Sequence, residues 1–590
     1  MARSAIVALQ AGGLPRIASM LRYHNRSPSD YESWIARHDT LTEADLDRLR
    51  SEIAALPERP LISVLMPVFN TPEHLLREAI ASVIGQVYDN WELCIADDCS
   101  TAGHVGSIIK SYAALDSRIR WVRRAENGHI SRASNSALDL VRGDWVALLD
   151  HDDVLRPHAL AEVAREIAAH PTAELIYSDE DKLSRRGERY DPFFKPDFSR
   201  ELFRSQNYLN HLTVHRTANI RAVGGWRVGF EGSQDYDLNL RICERIGFKN
   251  IRHIPKVLYH WRAVEGSTAA SNSGKDYAYD AGFRALQEHV ARLGLPAVVE
   301  QTPGLPFYRL HFSVPPDAPL VSLIIPARDR VELLRGSVGS ILEKTTYPNY
   351  EILIVDNGST DRATLDYMAD LARDGRVRVL RYDHPFNYSA INNFAVTQAN
   401  GTIIGLVNND IEVISPGWLD EMVSWAAQPD IGCVGAKLYY ANETIQHAGI
   451  ILGIGGVAGH SHKYFGRHEL GYFARLHLVQ NLSAVTGACL VVRKDVFESV
   501  AGLNEIDLTV AFNDVDFCLR VGQLGLSNVW TPYAELYHLE SISRGAEDDP
   551  VKQARFLKES EYMKERWALA EDPYYSINLT LEHEDFSLAR

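Results

Sequence analysis

Short apolar segments alternate with amphipathic segments along the chain, and polar residues follow each apolar segment. Residues 61–67, 93–96 and 145–149 are apolar runs of the kind that form buried parallel strands. Between the first two runs, apolar positions from Leu75 to Val83 recur at helical spacing. This order of strand, helix and strand predicts an open α/β sheet whose ligand lies beyond the carboxyl ends of the strands.

The same pattern occurs twice. Residues 61–67 return as residues 320–326, and residues 91–101 return as residues 350–360, both 259 positions later (320 − 61 and 350 − 91). Two further blocks, residues 234–241 and 258–260, are echoed in the same order by residues 513–520 and 536–538. Four blocks in one order indicate two copies of one domain, each with its own site.

The repeat sets the predicted domain organisation: an N-terminal helical segment (1–58), a first domain (59–304), a proline-containing linker (305–319), a second domain (320–548), and a C-terminal helix and tail (549–590). Thr42 followed by two acidic residues predicts a helix start in the N-terminal segment. The second copy is longer, since 98 positions separate Pro416 from Asp514 and 78 separate Pro157 from Asp235. We place the extra length around residues 449–459, where such insertions usually shape substrate entry.

Length and composition fit two ordinary globular domains. The chain has 590 residues, of which 46% are hydrophobic and 23% charged. A net charge of −16 without a basic run gives no support for a nucleic-acid partner. Six scattered cysteines without a CxxC pair predict reduced thiols in a cytoplasmic protein, and we expect no membrane span and no secretory signal.

The first 26 residues are basic and amphipathic, with four arginines and no acidic residue. Such a stretch can lie on an anionic membrane surface, which would make the protein peripheral at the cytoplasmic membrane. A docked N-terminal helix, interrupted near Pro15, is the alternative that we favour.

Acidic residues follow the third strand of the first copy. Asp150 and Asp152 are spaced to hold Mg²⁺ or Mn²⁺ with positions open for phosphate oxygens. In isolation the motif is more often a helix cap. The second copy has Asn408, Asn409 and Asp410 at this place, and so keeps one carboxylate.

His260 and His538 stand at equivalent positions, each after Leu-Tyr. A lone buried histidine is more often a core residue, but the repeat favours a ligand that completes a metal set of two oxygens and one nitrogen.

Asp235 and Asp514 each head a D-x-D-x-x-x-R pattern at a predicted helix start. Either could take a proton from an attacking hydroxyl as general base, or cap the helix, and the spacing does not separate the two roles. The turn at residues 97–100 could bind a nucleoside or form an Asx turn. Neither a Walker A loop nor a G-x-G-x-x-G fingerprint is present.

Taken in order, these blocks resemble inverting family 2 glycosyltransferases, and in particular bacterial tandem-domain members of O-antigen and surface polysaccharide assembly. The resemblance covers residues 60 to 570. It departs from the family where Gln234 and Asn513 replace a glutamate before the base position. The blocks that carry it are residues 63–70, 91–100, 150–153, 232–238 and 258–262, and then 325–329, 355–359, 408–412, 485–489, 512–516 and 538–545.

The resemblance implies an α/β GT-A fold in each copy, a nucleotide-diphospho-sugar donor and Mn²⁺ or Mg²⁺ as cofactor. It places the catalytic base at Asp235 and Asp514. The implied metal ligands are Asp150, Asp152, His260, Asp410 and His538. The implied nucleotide-sugar contacts are Pro67, Asn70, Asp97, Asp98, Asp150, Arg262, Pro326, Arg328, Asp356, Asn357, Asn408 and Arg544.

We therefore expect a bifunctional enzyme that moves sugars from UDP- or dTDP-sugars to a growing glycan, which is lipid-linked or protein-linked. One alternative is transfer to a protein such as flagellin. Another is that one copy binds glycan without catalysis, which Asn408 favours for the second copy and Asp514 with His538 oppose. A sugar-nucleotide pyrophosphorylase is disfavoured, because no glycine-rich, lysine-containing loop follows the first strand.

Overall fold

The computed structural model describes residues 28–262, 273–539 and 550–590. The basic stretch in residues 1–26 lies outside this part of the chain.

Each predicted domain contains one large mixed sheet. The first sheet has the strand order β3-β2-β1-β4-β8-β6-β9-β5, and β7 pairs with β6. Strands β1 to β4 pair in parallel, whereas β8 runs antiparallel to both β4 and β6. Its strands are β1 Ile62–Val68, β2 Trp91–Asp97, β3 Ile119–Arg123, β4 Trp145–Leu148, β5 Val154–Leu155, β6 Leu175–Leu183, β7 Arg189–Phe193, β8 Thr213–Arg216 and β9 Ile251–Arg262.

The second sheet repeats this topology, with β21 as an additional strand. Its order is β14-β13-β12-β15-β22-β17-β23-β16, with β18 on β17 and β21 on β23. The predicted α/β class with two tandem domains is therefore confirmed. The second set of strands is β12 Val321–Ala327, β13 Tyr350–Asp356, β14 Val377–Arg381, β15 Ile403–Val407, β16 Ile411–Val413, β17 Ile431–Tyr439, β18 Ile445–His447, β21 Gln480–Asn481, β22 Cys489–Arg493 and β23 Ser527–His538.

Helices cover the sheets, as their apolar stripes require. The helix predicted after Thr42 is present, and the Thr42 hydroxyl and the Asp45 carboxylate form a capping box. The α-helices are α1 Pro28–His38, α2 Glu43–Ala54, α3 Glu73–Ile84, α4 Gly103–Leu115, α5 His129–Leu138, α6 Ala159–Ala169, α7 Arg200–Ser205, α8 Thr217–Ala222, α9 Gln234–Ile246, α10 Ser273–Leu293, α11 Val331–Lys344, α12 Arg362–Leu371, α13 Tyr388–Gln398, α14 Trp418–Ala426, α15 Lys494–Ser499, α16 Asn513–Gln523 and α17 Pro550–Arg566.

A repeated buried carboxylate explains why serine and glutamate recur at matching positions of the apolar strands. In the first sheet Ser63 Oγ donates to Glu92 Oε1 at 2.7 Å, and in the second Ser322 Oγ donates to Glu351 Oε1 at 2.7 Å. Glu92 also accepts from the backbone N–H of Arg142 at 2.6 Å, just before β4. Because a buried carboxylate needs such partners, the polar pair fixes the register at the start of the parallel strands.

The segment between the sheets is structured. Two strands, β10 Ala297–Gln301 and β11 Tyr308–Phe312, pair antiparallel, so the predicted linker contains a strand. Alternate side chains of β11 are buried, as a half-buried strand requires. Contacts between the domains include the Tyr472 hydroxyl, which accepts from Phe194 N at 2.9 Å. From the C-terminal tail, Asn578 Nδ2 donates to Asp179 Oδ2 at 3.1 Å.

The extra length of the second domain forms a hairpin, β19 Ile450–Leu452 and β20 Ala458–His460, at the glycine-rich stretch. Gly453, Gly455 and Gly456 have positive φ there, which explains the glycines. All six cysteines are free, and five are buried. Within the described ranges, no helix has the length and apolarity that a membrane crossing needs.

Candidate active sites

The first site is a pocket at the carboxyl ends of β1 and β4. Pro67 from β1, Asp150 from the end of β4 and Tyr259 from β9 line it, together with Asp235 from the first turn of α9. Pockets at this edge of an open α/β sheet are the usual ligand sites of the class. The structure thus brings Pro67, Asp150 and Asp235 together, as the sequence predicted.

Asp235 is a partly buried carboxylate of the pocket wall. Its Oδ1 accepts from Trp226 Nε1 at 3.2 Å and its Oδ2 accepts from Gln234 Nε2 at 3.2 Å. Burial, and then the negative charge of Asp150, raise the pKa of Asp235 to about 6, although the two donors oppose this rise. A carboxylate with a pKa near the working pH is suited to taking a proton from a hydroxyl. Its side chain faces the pocket, whereas Asp237 is buried against Arg241.

The acidic turn after β4 crowds three carboxylates. The Asp150 side chain is 40% exposed and that of Asp152 is 20% exposed, so both can reach a ligand. Asp153 is buried and accepts from the Tyr259 hydroxyl and from Arg262 N, each at 2.7 Å. Burial, and then the charges of Asp150 and Asp152, raise the pKa of Asp153 well above its usual range. A cation at this turn would relieve the repulsion.

The structure corrects the expected placement of His260. Its Nδ1 lies against the Asp181 carboxylate, which also accepts from the Tyr31 hydroxyl at 2.7 Å and from Arg189 Nε at 2.6 Å. Successive side chains of a strand point to opposite faces, and Tyr259 is the one that lines the pocket. His260 therefore joins a cluster against α1 rather than Asp150 and Asp152.

The predicted nucleoside turn is held by its own acidic side chains. Asp97 Oδ1 accepts from Ser100 N at 2.9 Å, and Asp98 accepts from Gly128 N at 2.9 Å. Asn70, which is exposed, accepts from the backbone N–H of Thr101 at 2.9 Å. The Asp97 contact is local to the turn, as in an Asx turn, whereas the other two tie the turn to neighbouring segments. Asp97 Oδ2 accepts no hydrogen bond from the described residues and lies 3.8 Å from Arg123 Nε, so it retains acceptor capacity at the strand end.

The second domain has its candidate base at the matching place. Asp514 lies in the first turn of α16, and its Oδ2 accepts from Gly487 N at 2.8 Å. Burial raises the pKa of Asp514, which that hydrogen bond opposes. Here the predicted histidine does reach the acidic turn, since His538 Nε2 is 3.3 Å from Asp410 Oδ1. The same nitrogen is 3.3 Å from Asn408 Nδ2.

The remaining predicted nucleotide contacts of the second domain differ in placement. Asp356 Oδ1 accepts from Ser359 N at 2.8 Å, which repeats the turn of the first domain. Asn357 Nδ2 donates to the backbone carbonyls of Tyr382 and His384, at 3.0 and 2.8 Å. Pro326 is partly buried and Arg328 is exposed.

The structure gives no direct support to the nucleotide-sugar contacts expected of Arg262 and Arg544. Arg262 forms an ion pair with Glu78. Arg544 lies outside the described residues.

Two imidazoles near the second site belong to the segment that lengthens this domain. His447 Nδ1 is 2.8 Å from His460 Nδ1, and Thr486 N donates to His447 Nε2 at 3.4 Å. Burial, and then the positive charges that His460 and His538 can carry, lower the pKa of His447 well below its usual range. His447 is therefore a neutral group beside the chain segment that contacts Asp514.

The protein groups alone do not complete a metal set. In the described ranges, no three His, Cys, Asp or Glu side chains are arranged to hold a metal ion. Each site does have a pair: Asp150 with Asp152, and Asp410 with His538. Such a pair fits a Mg²⁺ or Mn²⁺ ion that shares its remaining positions with phosphate oxygens and water.

His211 lines the first pocket, and the sequence analysis missed it. Its Nδ1 is 3.1 Å from Glu180 Oε2, which lies 3.3 Å from Lys195 Nζ. Burial alone would lower the pKa of His211, but Glu180 and then Asp150 raise it to about 9. The repeat could not reveal this residue because the second copy has no histidine there.

Comparison with known proteins supplies the last observation. The family model described as "Glycosyl transferase family 2" matches residues 63–222 and 322–500, one segment in each sheet. The chain is 52% identical to "Uncharacterized protein y4gI" of Sinorhizobium fredii over 95% of its length, and 41% identical to "O-antigen biosynthesis protein RfbC" of Myxococcus xanthus over 96%. It spans 62% and 44% of those two proteins. Among solved structures, S. aureus TarS 1-349 in complex with UDP-GlcNAc has a TM-score of 0.32 at 19% identity, over 39% of this chain and 66% of the solved TarS chain.

Proposed function

Because the chain belongs to glycosyl transferase family 2, with one match in each half, we propose that it is a bifunctional inverting glycosyltransferase with one active site per domain. Family membership confirms the resemblance inferred from the sequence blocks, including the tandem GT-A fold class. The proposed donors are UDP- or dTDP-sugars, and the proposed acceptor is a growing surface glycan such as O-antigen or capsular polysaccharide. The similarity to RfbC, which is named as an O-antigen biosynthesis protein, supports this acceptor class.

One observation carries the proposal. Asp235 and Asp514 occupy the first turn of equivalent helices, α9 and α16, in two sheets of the same topology. Asp235 faces a pocket whose opposite wall includes Asp150, and Asp514 contacts the segment that precedes β22. A structural cap alone would not require a pocket with a second acidic turn beside it.

The proposed reaction is a single displacement at the anomeric carbon. Asp235 takes the proton of the acceptor hydroxyl, the acceptor oxygen bonds to the anomeric carbon, and the bond from that carbon to the diphosphate breaks. The electron pair leaves with the nucleoside diphosphate, and the configuration inverts. Asp514 has the same role in the second site. Gln234, by donating to Asp235 Oδ2, orients the base for the first of these events.

We assign metal binding to Asp150 and Asp152 in the first site and to Asp410 and His538 in the second. A bound Mn²⁺ or Mg²⁺ would supply neutralisation of the charge that develops on the departing diphosphate. Burial, and then the negative charge of Asp152, raise the pKa of Asp150 while His211 opposes the rise, so a cation beside these two carboxylates would be favoured in the first site. The short separation of Asp410 from His538 supports it in the second.

We assign nucleoside binding to the turns at the ends of β2 and β13. In the first domain Asp97 Oδ2, which accepts no hydrogen bond within the described part of the chain and lies 3.8 Å from Arg123 Nε, supports a contact to a base or ribose donor, and Asn70 and Asp98 shape the same turn. In the second, Asp356 and Asn357 hold the corresponding turn through the contacts described above.

The test uses the full chain with Asp235→Asn, with Asp514→Asn and with both, assayed with UDP-, dTDP- and GDP-sugars and Mn²⁺. Loss of a general base lowers transfer by about 10²- to 10⁴-fold, so each single variant should lose one transfer and keep the other. Asp144→Asn, at an exposed aspartate of the first domain, is the matched control. Full activity in both single variants would remove the base assignment. Loss of all transfer through Asp235→Asn, with full activity of Asp514→Asn, would assign the second domain to glycan binding.

A further inference from the structure

His211 stands where the first pocket meets the acidic turn. It lines the pocket together with Asp150, Asp235 and Tyr259. His211 Nε2 is 4.0 Å from Asp150 Oδ2, so the ring lies on the side of the pocket where the metal carboxylates are. A group bound by Asp150 would therefore be within reach of this imidazole.

The ring is held rigidly in this position. Glu180 accepts from the backbone N–H of His211 and lies 3.1 Å from Nδ1. Glu180 is itself held by Lys195, whose side chain is fully buried. The ring stacks on Tyr259 with centroids 4.6 Å apart and planes 19° apart. A carboxylate at Nδ1 favours the protonated ring and leaves Nε2–H as the donor that faces the pocket.

The second domain has no counterpart. Ala147 of β4 pairs with Val214, and Gly405 of β15 pairs with Val491, at matching places in the two sheets. Counting three residues back from each partner, His211 corresponds to Ala488. The side chain of an alanine cannot donate a hydrogen bond, so the two sites differ in a charged side chain at the same place.

We infer that His211 is a further catalytic residue of the first site, whose Nε2–H donates to the β-phosphate of the nucleotide-sugar and stabilises the diphosphate as it leaves. This rests on the proposed function of that site. Glu180 is the positioning residue that aims the ring, and the second site performs its transfer without an equivalent donor. A fixed charged donor aimed at developing negative charge is among the strongest contributions that a protein makes to such a step.

The test measures the first site alone, in the full chain carrying Asp514→Asn. Inhibition constants are determined for UDP and UMP, or for dTDP and dTMP, against transfer from the matching sugar donor. In His211→Ala the constant for the diphosphate should rise about ten- to hundredfold, the loss expected for a hydrogen bond to a charged group. The constant for the monophosphate should change less than about twofold, because the monophosphate lacks the contacted phosphate.

Two further variants separate contact from folding. His211→Gln keeps a neutral donor, so its diphosphate constant should lie between those of the parent and of His211→Ala. His215→Gln is the matched control, since His215 lies on β8, four residues after His211, is fully buried and does not line the pocket. Its two inhibition constants should equal those of the parent.

Each result bears on the inference. Unchanged constants in His211→Ala, or an equal rise for the diphosphate and the monophosphate, would overturn the role of His211 and leave the proposed function standing. Absence of transfer from every donor by the parent chain would overturn both. A selective rise for the diphosphate supports the inference.

Discussion

Removal of the Trp226 hydrogen bond should move the pH dependence of the first site. Trp226 Nε1 donates to Asp235 Oδ1 at 3.2 Å and so favours the ionised carboxylate, whose pKa is held at about 6. Trp226→Phe keeps an aromatic ring in the pocket wall and deletes the donor. Without the donor, the pKa of Asp235 rises further.

The size of the shift follows from the strength of the bond. A hydrogen bond to a charged group contributes about 1.5 kcal/mol at this length, and one pKa unit corresponds to about 1.4 kcal/mol. The acidic limb of the pH profile of kcat/KM should therefore move from about pH 6 to about pH 7. At pH 6 the ionised fraction falls from about one half to about one tenth, which is about a fivefold loss of rate. At pH 8.5 the deletion of the donor should cost nothing through ionisation.

The assay is kcat/KM for sugar transfer between pH 5 and pH 9, in the full chain with Asp514→Asn. Trp567→Phe is the matched control, because Trp567 Nε1 donates at 3.0 Å to Asp516 in the second domain and not to a proposed base. The control should leave the limb in place. A Trp226→Phe profile that is lower by the same factor at every pH would refute the reasoning, since the tryptophan would then act by packing alone.

Three stability predictions follow, one from a buried histidine and two from glycines. Burial lowers the pKa of His215 to about 3, so the unfolded chain binds the extra proton below about pH 6.5, and between pH 7 and pH 5 this residue should cost about 2 kcal/mol of folding free energy. In His215→Leu the drop in Tm between these pH values should be smaller than in the parent, and an equal drop would contradict the assignment. A Cβ at Gly401 would lie 2.5 Å from Leu320 O, so Gly401→Ala should destabilise the second domain by about 1–3 kcal/mol. Gly336→Ala, in an exposed helix interior with open space around the new Cβ, should stabilise the second domain by about 0.5–1 kcal/mol. Shifts of the calorimetric Tm in the opposite directions would contradict the two glycine predictions.

The sequence predicted the fold because its duplicated blocks coincide with structural constraints. The apolar runs are the strands buried on both faces, and the repeated serine and glutamate form the same buried contact in both sheets. Asp235 and Asp514 could be placed at helix starts from spacing alone. The pocket around Asp235 could not be predicted, because it is assembled from strands far apart in the chain.

The wrong placement of His260 and the omission of His211 each have a local structural cause. His260 and Tyr259 are neighbours on β9, and the motif does not say which of them faces the pocket, since strand pairing decides that. His538 reaches Asp410 in the second domain although the same two residues, Leu and Tyr, precede it. His211 has no equivalent in the second copy, so the repeat that revealed the other residues could not reveal it.

The central claim is that this one chain has two nucleotide sites, one in each domain. The decisive measurement is a crystal structure of the full chain with Mn²⁺ and the nucleoside diphosphate of an active donor. We expect one nucleotide in each domain, with its diphosphate and a metal ion beside Asp150 and Asp152 in the first and beside Asp410 and His538 in the second. A nucleotide bound away from both acidic turns would contradict the account.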